Sequence, residues 1–104
     1  MKYYQHRLTA QIVKECIPPE DFYLREQNLE DLSFSNGKQW AIAGLCPFHA
    51  DRQPGSFVIH PIAGAFHCFS CGHRGGDIIA YAQMKYNISF KEALEKLNFD
   101  WSVL

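Results

Sequence analysis

Two short cysteine-containing motifs constrain this chain more than any other feature of its sequence. They are C-P-F-H at residues 46–49 and C-F-S-C at residues 68–71, and 18 residues separate them. Each motif leaves two residues between a pair of metal-binding side chains, so that one tight turn can direct both at a single ion. Three thiolates and one imidazole are the ligand set of a structural zinc site. The sequence therefore predicts one zinc ion bound by Cys46, His49, Cys68 and Cys71.

The segments that flank the motifs predict β-hairpins. Apolar and polar residues alternate over 32–34 and 40–42, and the pair Asn36-Gly37 between them favours a tight turn. We expect the return strand of this hairpin to run through Gly44 directly into Cys46. A second hairpin is predicted from strands over 56–60 and 65–69, with Phe57 and Ile59 on one face and a turn at 61–64. Gly72 follows the last cysteine, where a positive φ angle is expected.

The amino-terminal third predicts one helix and one strand. Apolar residues recur at helical spacing between Leu8 and Ile17, with Thr9 as a possible cap, and Pro18-Pro19 must end that helix. Cys16 lies on the apolar face of the helix, and we interpret it as a small buried side chain rather than a reactive thiol. Residues 22–25 are expected to form a short strand.

Two further helices are predicted after the second motif. Asp77 is a suitable N-cap for a helix that runs to Tyr86 and ends at Asn87, and its inward residues are expected to be Ile78, Ile79, Ala82 and Tyr86. Ser89 and Glu92 have the spacing of a capping box for a second helix. The apolar stripe of this helix is expected to consist of Phe90, Ala93, Leu94 and Leu97.

These elements predict an α+β fold, a zinc ribbon on a small antiparallel sheet that is flanked by an N-terminal helix and two C-terminal helices. With 104 residues, the chain has the size of a single domain. Within it, residues 1–44 lead into the site, 45–76 form the ribbon and 77–104 form the helices. The closing segment F-D-W-S-V-L has no linker character, which favours a complete chain.

The sequence also limits the cellular setting. The first residues, M-K-Y-Y-Q-H-R-L, lack an apolar signal core and no apolar run approaches the ~20 residues of a membrane span, so we expect a cytoplasmic protein without a membrane partner. Disulfides are disfavoured there, and they would leave the spacing of His49 unexplained. The net charge is −1, but residues 38–76 carry Lys38, Arg52 and Arg74 against Asp51, a local +2.

A catalytic zinc site is a weaker interpretation of the same residues. The sequence H-A-D at 49–51 faintly resembles the H-x-E motif of nucleobase deaminases, which require a glutamate, a P-C-x-x-C motif and an open coordination position. Here the acid is Asp51, Cys68 follows His67 instead of proline, and Cys46 fills the fourth position. A haem-attachment motif is excluded because Gly72 stands where its histidine is required.

Several motifs together resemble the zinc-binding domain of bacterial DnaG-type primases. They are C-P-F-H at 46–49, P-G-S-F at 54–57, F-H-C-F-S-C-G at 66–72, G-G-D at 75–77 and S-F-K-E-A-L at 89–94. The resemblance runs from about Leu45 to Leu97, and the first 44 residues match poorly. Departures are an apparent insertion at Gly55, Ser70 in place of a usual glycine, and a longer connection at Arg74.

The resemblance implies binding of single-stranded template DNA during primer initiation. It places Cys46, His49, Cys68 and Cys71 at the zinc ligands and Arg52 at a basic position after the first motif. Because catalytic metal-binding carboxylates of a primase are not found in these 104 residues, we expect the chain to be no enzyme by itself and to act with a separate catalytic subunit.

Single-stranded nucleic acid is generally bound by aromatic side chains with cations nearby. The candidate DNA-binding residues in this chain are Lys38, Trp40, Arg52, Phe57, His67 and Arg74, with Phe69 as a further aromatic side chain. Phe57 and Phe69 could instead be core residues of the small sheet. The alternative function is a zinc-stabilised module that recruits a primase, a helicase or another replication protein. The near-neutral net charge favours that alternative.

Overall fold

The computed structural model describes residues 7–34 and 39–104. The described residues form an α+β fold, as predicted. Its elements are α1 (Ala10–Cys16), α2 (Pro19–Glu26), β1 (Ser33–Phe34), β2 (Ala41–Ile42), β3 (Phe57–Ile59), β4 (Phe66–Cys68), β5 (Arg74–Gly75), α3 (Ile78–Tyr86) and α4 (Phe90–Trp101). The predicted Asn36-Gly37 turn and Lys38 lie outside the described residues.

The five short strands form one antiparallel sheet in the order in which they occur along the chain. Directly paired residues of neighbouring strands share a face, so the register defines two rows that face opposite ways. The outer row is Ser33, Ile42, Val58, His67 and Arg74. The inner row is Phe34, Ala41, Ile59, Phe66 and Gly75. The inner row faces the core, and Ala41, Ile59 and Phe66 are buried there.

Aromatic side chains from helices and strands meet beneath the inner row. The rings of Tyr23 and Tyr81 cross edge to face at 5.2 Å, and Tyr81 contacts Phe66 at 5.7 Å. Phe57, fully buried, packs beside Tyr23. The buried Tyr23 hydroxyl donates a hydrogen bond of 2.6 Å to the carbonyl of Gly64, which ties α2 to the turn between β3 and β4. Burial raises the pKa of both tyrosines, so both stay neutral.

The prediction of a strand at residues 22–25 is wrong, because these residues belong to α2. Pro18 and Pro19 end α1 as predicted, but Pro19 also occupies the first turn of the next helix, where its fixed φ is favourable. Glu20 and Asp21 complement the helix dipole in that turn. A pair of adjacent aromatic residues is typical of a strand, yet Phe22 and Tyr23 both belong to this helix and are both buried.

Both C-terminal helices begin as predicted, and α3 also ends as predicted. The Asp77 side chain accepts a hydrogen bond from the Ala80 N–H, and Asn87 ends α3 in the left-handed conformation. The capping box of Ser89 and Glu92 is complete at the start of α4. Two inward predictions are wrong: Tyr86 is 38% exposed and Phe90 is 50% exposed. The buried aromatic residue of α3 is instead Tyr81, which the predicted stripe omitted.

Of the two strands that lead to the cysteine motifs, one ends earlier than predicted. β4 ends at Cys68, so the second motif follows directly from a strand. β2, in contrast, ends at Ile42 and does not run into Cys46, because Gly44 turns the chain with a φ of 72°. The longest helix of the described segments, α4, has 12 residues, and no helix there is long and apolar enough to cross a bilayer.

Candidate functional site

The two cysteine motifs meet at one end of the sheet. The four side chains Cys46, His49, Cys68 and Cys71 bring their ligand atoms within 4.8 Å of one another. The Cys46 and Cys71 sulfurs are 3.8 Å apart, and the Cys68 sulfur is 3.9 Å from Nδ1 of His49. In a tetrahedral site with Zn–S bonds of about 2.3 Å, two sulfurs lie about 3.8 Å apart. The donor set and its spacing therefore fit one zinc ion.

Backbone N–H groups converge on the thiols, as they do in zinc knuckles. The Phe48 N–H donates to the Cys46 sulfur at 3.3 Å. Burial is the largest influence on Cys68 and opposes its ionisation, but the N–H groups of Cys71 and Ser70 and the thiols of Cys46 and Cys71 together hold its pKa below its usual value. Gly72 adopts a φ of 83°, as predicted, and its N–H bonds the Cys68 carbonyl at 2.8 Å. The N–H donors favour the thiolate, the form that binds zinc, at Cys68, whereas burial keeps Cys46 protonated until a metal binds.

Phe48 attaches the first motif to the hydrophobic core. Its ring lies 5.5 Å from that of Phe66 and 5.6 Å from that of Tyr81. A polar link supports the chain just before the motif, where Gln27 donates to the carbonyls of Ala43 and Leu45 at 2.8 and 2.6 Å. The metal centre is therefore built on packed elements rather than on a free loop.

Two polar residues beside the ligands were not predicted to contribute. Asp51 accepts a 2.8 Å hydrogen bond from the Cys46 N–H, and its other oxygen lies 3.6 Å from Nε2 of His49. The Cys46 N–H, more than the nearby imidazole, lowers the pKa of the Asp51 carboxyl. His73 places Nδ1 3.2 Å from the Cys71 sulfur and stacks on Phe48. The only sequence signal for either residue is its closeness to a ligand.

A groove of about 440 Å³ lies along the last two strands. We call it the β4–β5 groove, and its lining consists of Trp40, Phe66, His67, Arg74, Gly75 and Gly76. Three of the candidate DNA-binding residues, Trp40, His67 and Arg74, are therefore together. Trp40 is 39% exposed. Phe69 extends the aromatic surface, because it is 68% exposed and its ring lies 4.4 Å from that of His67.

The other candidate residues lie elsewhere. Phe57 is completely buried, so the prediction that it binds DNA is wrong and its alternative interpretation as a core residue is confirmed. Phe69, for which a core position was the alternative, is instead exposed. Arg52 is exposed in the loop after the first motif but does not line the groove. Cys16 is half-buried on α1, apart from the metal centre.

Comparisons with known proteins agree with this site. A family model described as "CHC2 zinc finger" matches residues 32–103. The DNA primase of Mycobacterium tuberculosis is 49% identical over 57 residues, which cover 55% of this chain and 9% of the primase. The DNA primase of Thermotoga maritima is 51% identical over 53 residues, covering 51% of this chain and 9% of that protein. The chain thus matches about a tenth of the length of these curated relatives.

One solved structure extends the similarity to the whole fold. It is the crystal structure of the Aquifex aeolicus primase with its zinc-binding and RNA polymerase domains. This chain aligns to it with a TM-score of 0.64 and 27% identity, over 90% of this chain and 22% of that one. The prediction of one zinc ion as cofactor is confirmed by the family and by the metal-binding group. The chain belongs to the CHC2 zinc finger family, as found in the zinc-binding part of bacterial DNA primases.

Proposed function

We propose that this chain is a DNA-binding zinc module of replication, which holds single-stranded template DNA in the β4–β5 groove during primer initiation. The observation that carries the proposal is the meeting of Trp40, His67 and Arg74 in one open groove. Aromatic faces accept stacked bases, and cations bind the phosphates between them. The chain's similarity to primases supplies the replication context.

The chemistry of the groove suits a single strand. Among the residues that the structure describes, Arg74 forms no salt bridge with a carboxylate, so its guanidinium is available to a phosphate. His67 pairs with Arg74 across the two strands, and its ring contacts the exposed ring of Phe69. The zinc ion, with four protein ligands, supplies no open coordination position and acts by holding the two motifs together. We therefore propose a binding role and not a catalytic one.

The proposal is tested by measuring anisotropy of a short fluorescent single-stranded DNA with the zinc-loaded chain. Trp40→Ala should weaken binding by roughly 1–3 kcal/mol, the range for loss of one stacked base. Arg74→Ala should weaken it and reduce its dependence on salt. Lys91→Ala is the matched control, because Lys91 is an exposed cation on α4, outside the groove. Equal affinities of all three variants and the unmodified chain would exclude the β4–β5 groove as the DNA site.

We further propose that the module acts with a primase catalytic unit. The Aquifex structure that it resembles contains an RNA polymerase domain as well as the zinc-binding domain. The test is primer synthesis by a primase catalytic domain that lacks its zinc module, with and without this chain added. Stimulation that disappears with Trp40→Ala would support cooperation through DNA. Stimulation that persists with this variant would favour the alternative of a protein-recruiting module.

A further inference from the structure

Asp51 is the second residue after the first cysteine motif, and DNA binding gives it no role. Its side chain is only 11% exposed, and its two oxygens have different partners. Oδ2 accepts the Cys46 N–H at 2.8 Å, while Oδ1 faces Nε2 of His49 at 3.6 Å. The same carboxylate therefore contacts both metal-binding residues of the motif.

The orientation of the His49 ring shows what the contact with Asp51 does. Its Nδ1 faces the thiol group, 3.9 Å from the Cys68 sulfur, while its Nε2 faces Asp51. The imidazole thus lies between the metal centre and a carboxylate. In metal sites, a carboxylate on the far nitrogen of a histidine fixes the ring orientation and its tautomer, and it makes the histidine a stronger ligand. The distance of 3.6 Å is within ion-pair reach but longer than a hydrogen bond, so the charge of Asp51 is the property to test.

We infer that Asp51 is a positioning residue for zinc, which holds His49 with Nδ1 towards the ion and anchors the backbone of Cys46. This role explains why an acid follows the histidine in H-A-D without any catalytic function. The inference depends on the zinc site alone and is independent of whether the β4–β5 groove binds DNA.

The test compares metal binding by Asp51→Asn and Asp51→Ala, measured by competition with a chromophoric zinc chelator. Asparagine can still accept the Cys46 N–H but loses the charge beside His49, whereas alanine loses both contacts. We expect affinity to fall about 10- to 100-fold in the Asn variant and further in the Ala variant. The matched control is Asp31→Asn, since Asp31 also accepts one backbone N–H, from Leu32 at 2.9 Å, away from the metal centre. The control should bind zinc as the unmodified chain does.

Cobalt(II) absorption separates positioning from a general loss of stability. The visible bands of the Co²⁺-loaded chain report the ligand geometry, so they should shift in Asp51→Asn and not in Asp31→Asn. Saturating zinc should restore the far-UV circular dichroism of the Asn variant to that of the unmodified chain. Equal zinc affinities with equal Co²⁺ spectra would overturn the inference. So would an Asn variant that saturating zinc fails to refold, because Asp51 would then act in folding.

Discussion

At the scale of single residues, close packing decides which positions tolerate change. Gly75 lies on β5 against the ring of its partner Phe66. A Cβ atom at this position would lie 2.5 Å from Cε1 of that ring and 2.9 Å from the Cβ of Ala80. At the adjacent Gly76, a Cβ would have no heavy atom of the described residues within 4 Å. Gly75 therefore has no room for a side chain, whereas the neighbouring Gly76 has.

We predict that Gly75→Ala destabilises the zinc-loaded chain by roughly 1–3 kcal/mol, because the methyl group overpacks the contact with Phe66. The measurement is the midpoint of chemical unfolding followed by circular dichroism. Gly76→Ala is the control and should unfold close to the unmodified chain. Equal midpoints for the two variants would contradict the packing argument.

The Cys46 thiol makes zinc binding depend on pH. Burial is the main cause that raises its pKa to about 12 in the folded chain. An unfolded cysteine has a pKa of about 8.5, so without metal this thiol keeps its proton at neutral pH whether or not the segment is folded. Zinc binds the thiolate, and loading must therefore release that proton. We predict that the apparent zinc affinity rises at least about tenfold per pH unit between pH 6 and 8, from Cys46 alone. Chelator competition at several pH values measures this slope, and an affinity independent of pH would refute the prediction.

At the scale of elements, the helix ends were predictable because the hydrogen bonds that form them are local. Ser89 accepts the Glu92 N–H at 3.1 Å, and Glu92 accepts the Ser89 N–H at 2.9 Å. Three residues of sequence contain the whole motif. The α2 helix was missed for the opposite reason, since its eight residues are held by the burial of Phe22 and Tyr23 against distant elements.

We predict that Ser89→Ala lowers the unfolding free energy by about 1 kcal/mol, the typical effect of losing an N-cap side chain. Glu92→Gln should have a smaller effect at neutral pH, because an amide oxygen can still accept the Ser89 N–H. Guanidinium unfolding of the zinc-loaded variants measures both changes. A larger loss in Glu92→Gln than in Ser89→Ala would show that charge dominates the cap.

At the scale of the whole molecule, zinc joins the loop after β2 to the loop after β4. The aromatic core, where Tyr23 and Tyr81 pack against Phe57 and Phe66, adjoins the metal centre through Phe48. The helices α3 and α4 contact each other extensively and carry their own caps. Removal of the metal should therefore affect the two ends of the chain unequally.

We predict that a chelator largely unfolds residues 40–75, since the free energy of zinc binding is part of the folding free energy of this segment. Hydrogen exchange with and without chelator, read by mass spectrometry, tests this. Peptides that contain the two cysteine motifs should lose protection first, and readdition of zinc should restore it. Unchanged protection in those peptides after complete metal removal would contradict the prediction.

The sequence by itself determined the features that depend on local spacing. These are the zinc cofactor, the start of α3 and α4, the strand pairs around the motifs and the family resemblance. Their physical basis lies within a few residues, where side-chain spacing, capping and turn geometry act. The prediction of one zinc ion required only that four ligand-type residues be arranged as two tight turns.

Only the tertiary structure decided which side chains face the core and which face solvent. Phe57 and Phe69 are both aromatic residues next to the sheet, yet one is fully buried and the other is 68% exposed. The contacts of Asp51 and the convergence of Trp40 with Arg74 likewise join parts of the chain whose meeting no local pattern encodes. Burial depends on what packs across a surface, and that is set by the whole fold.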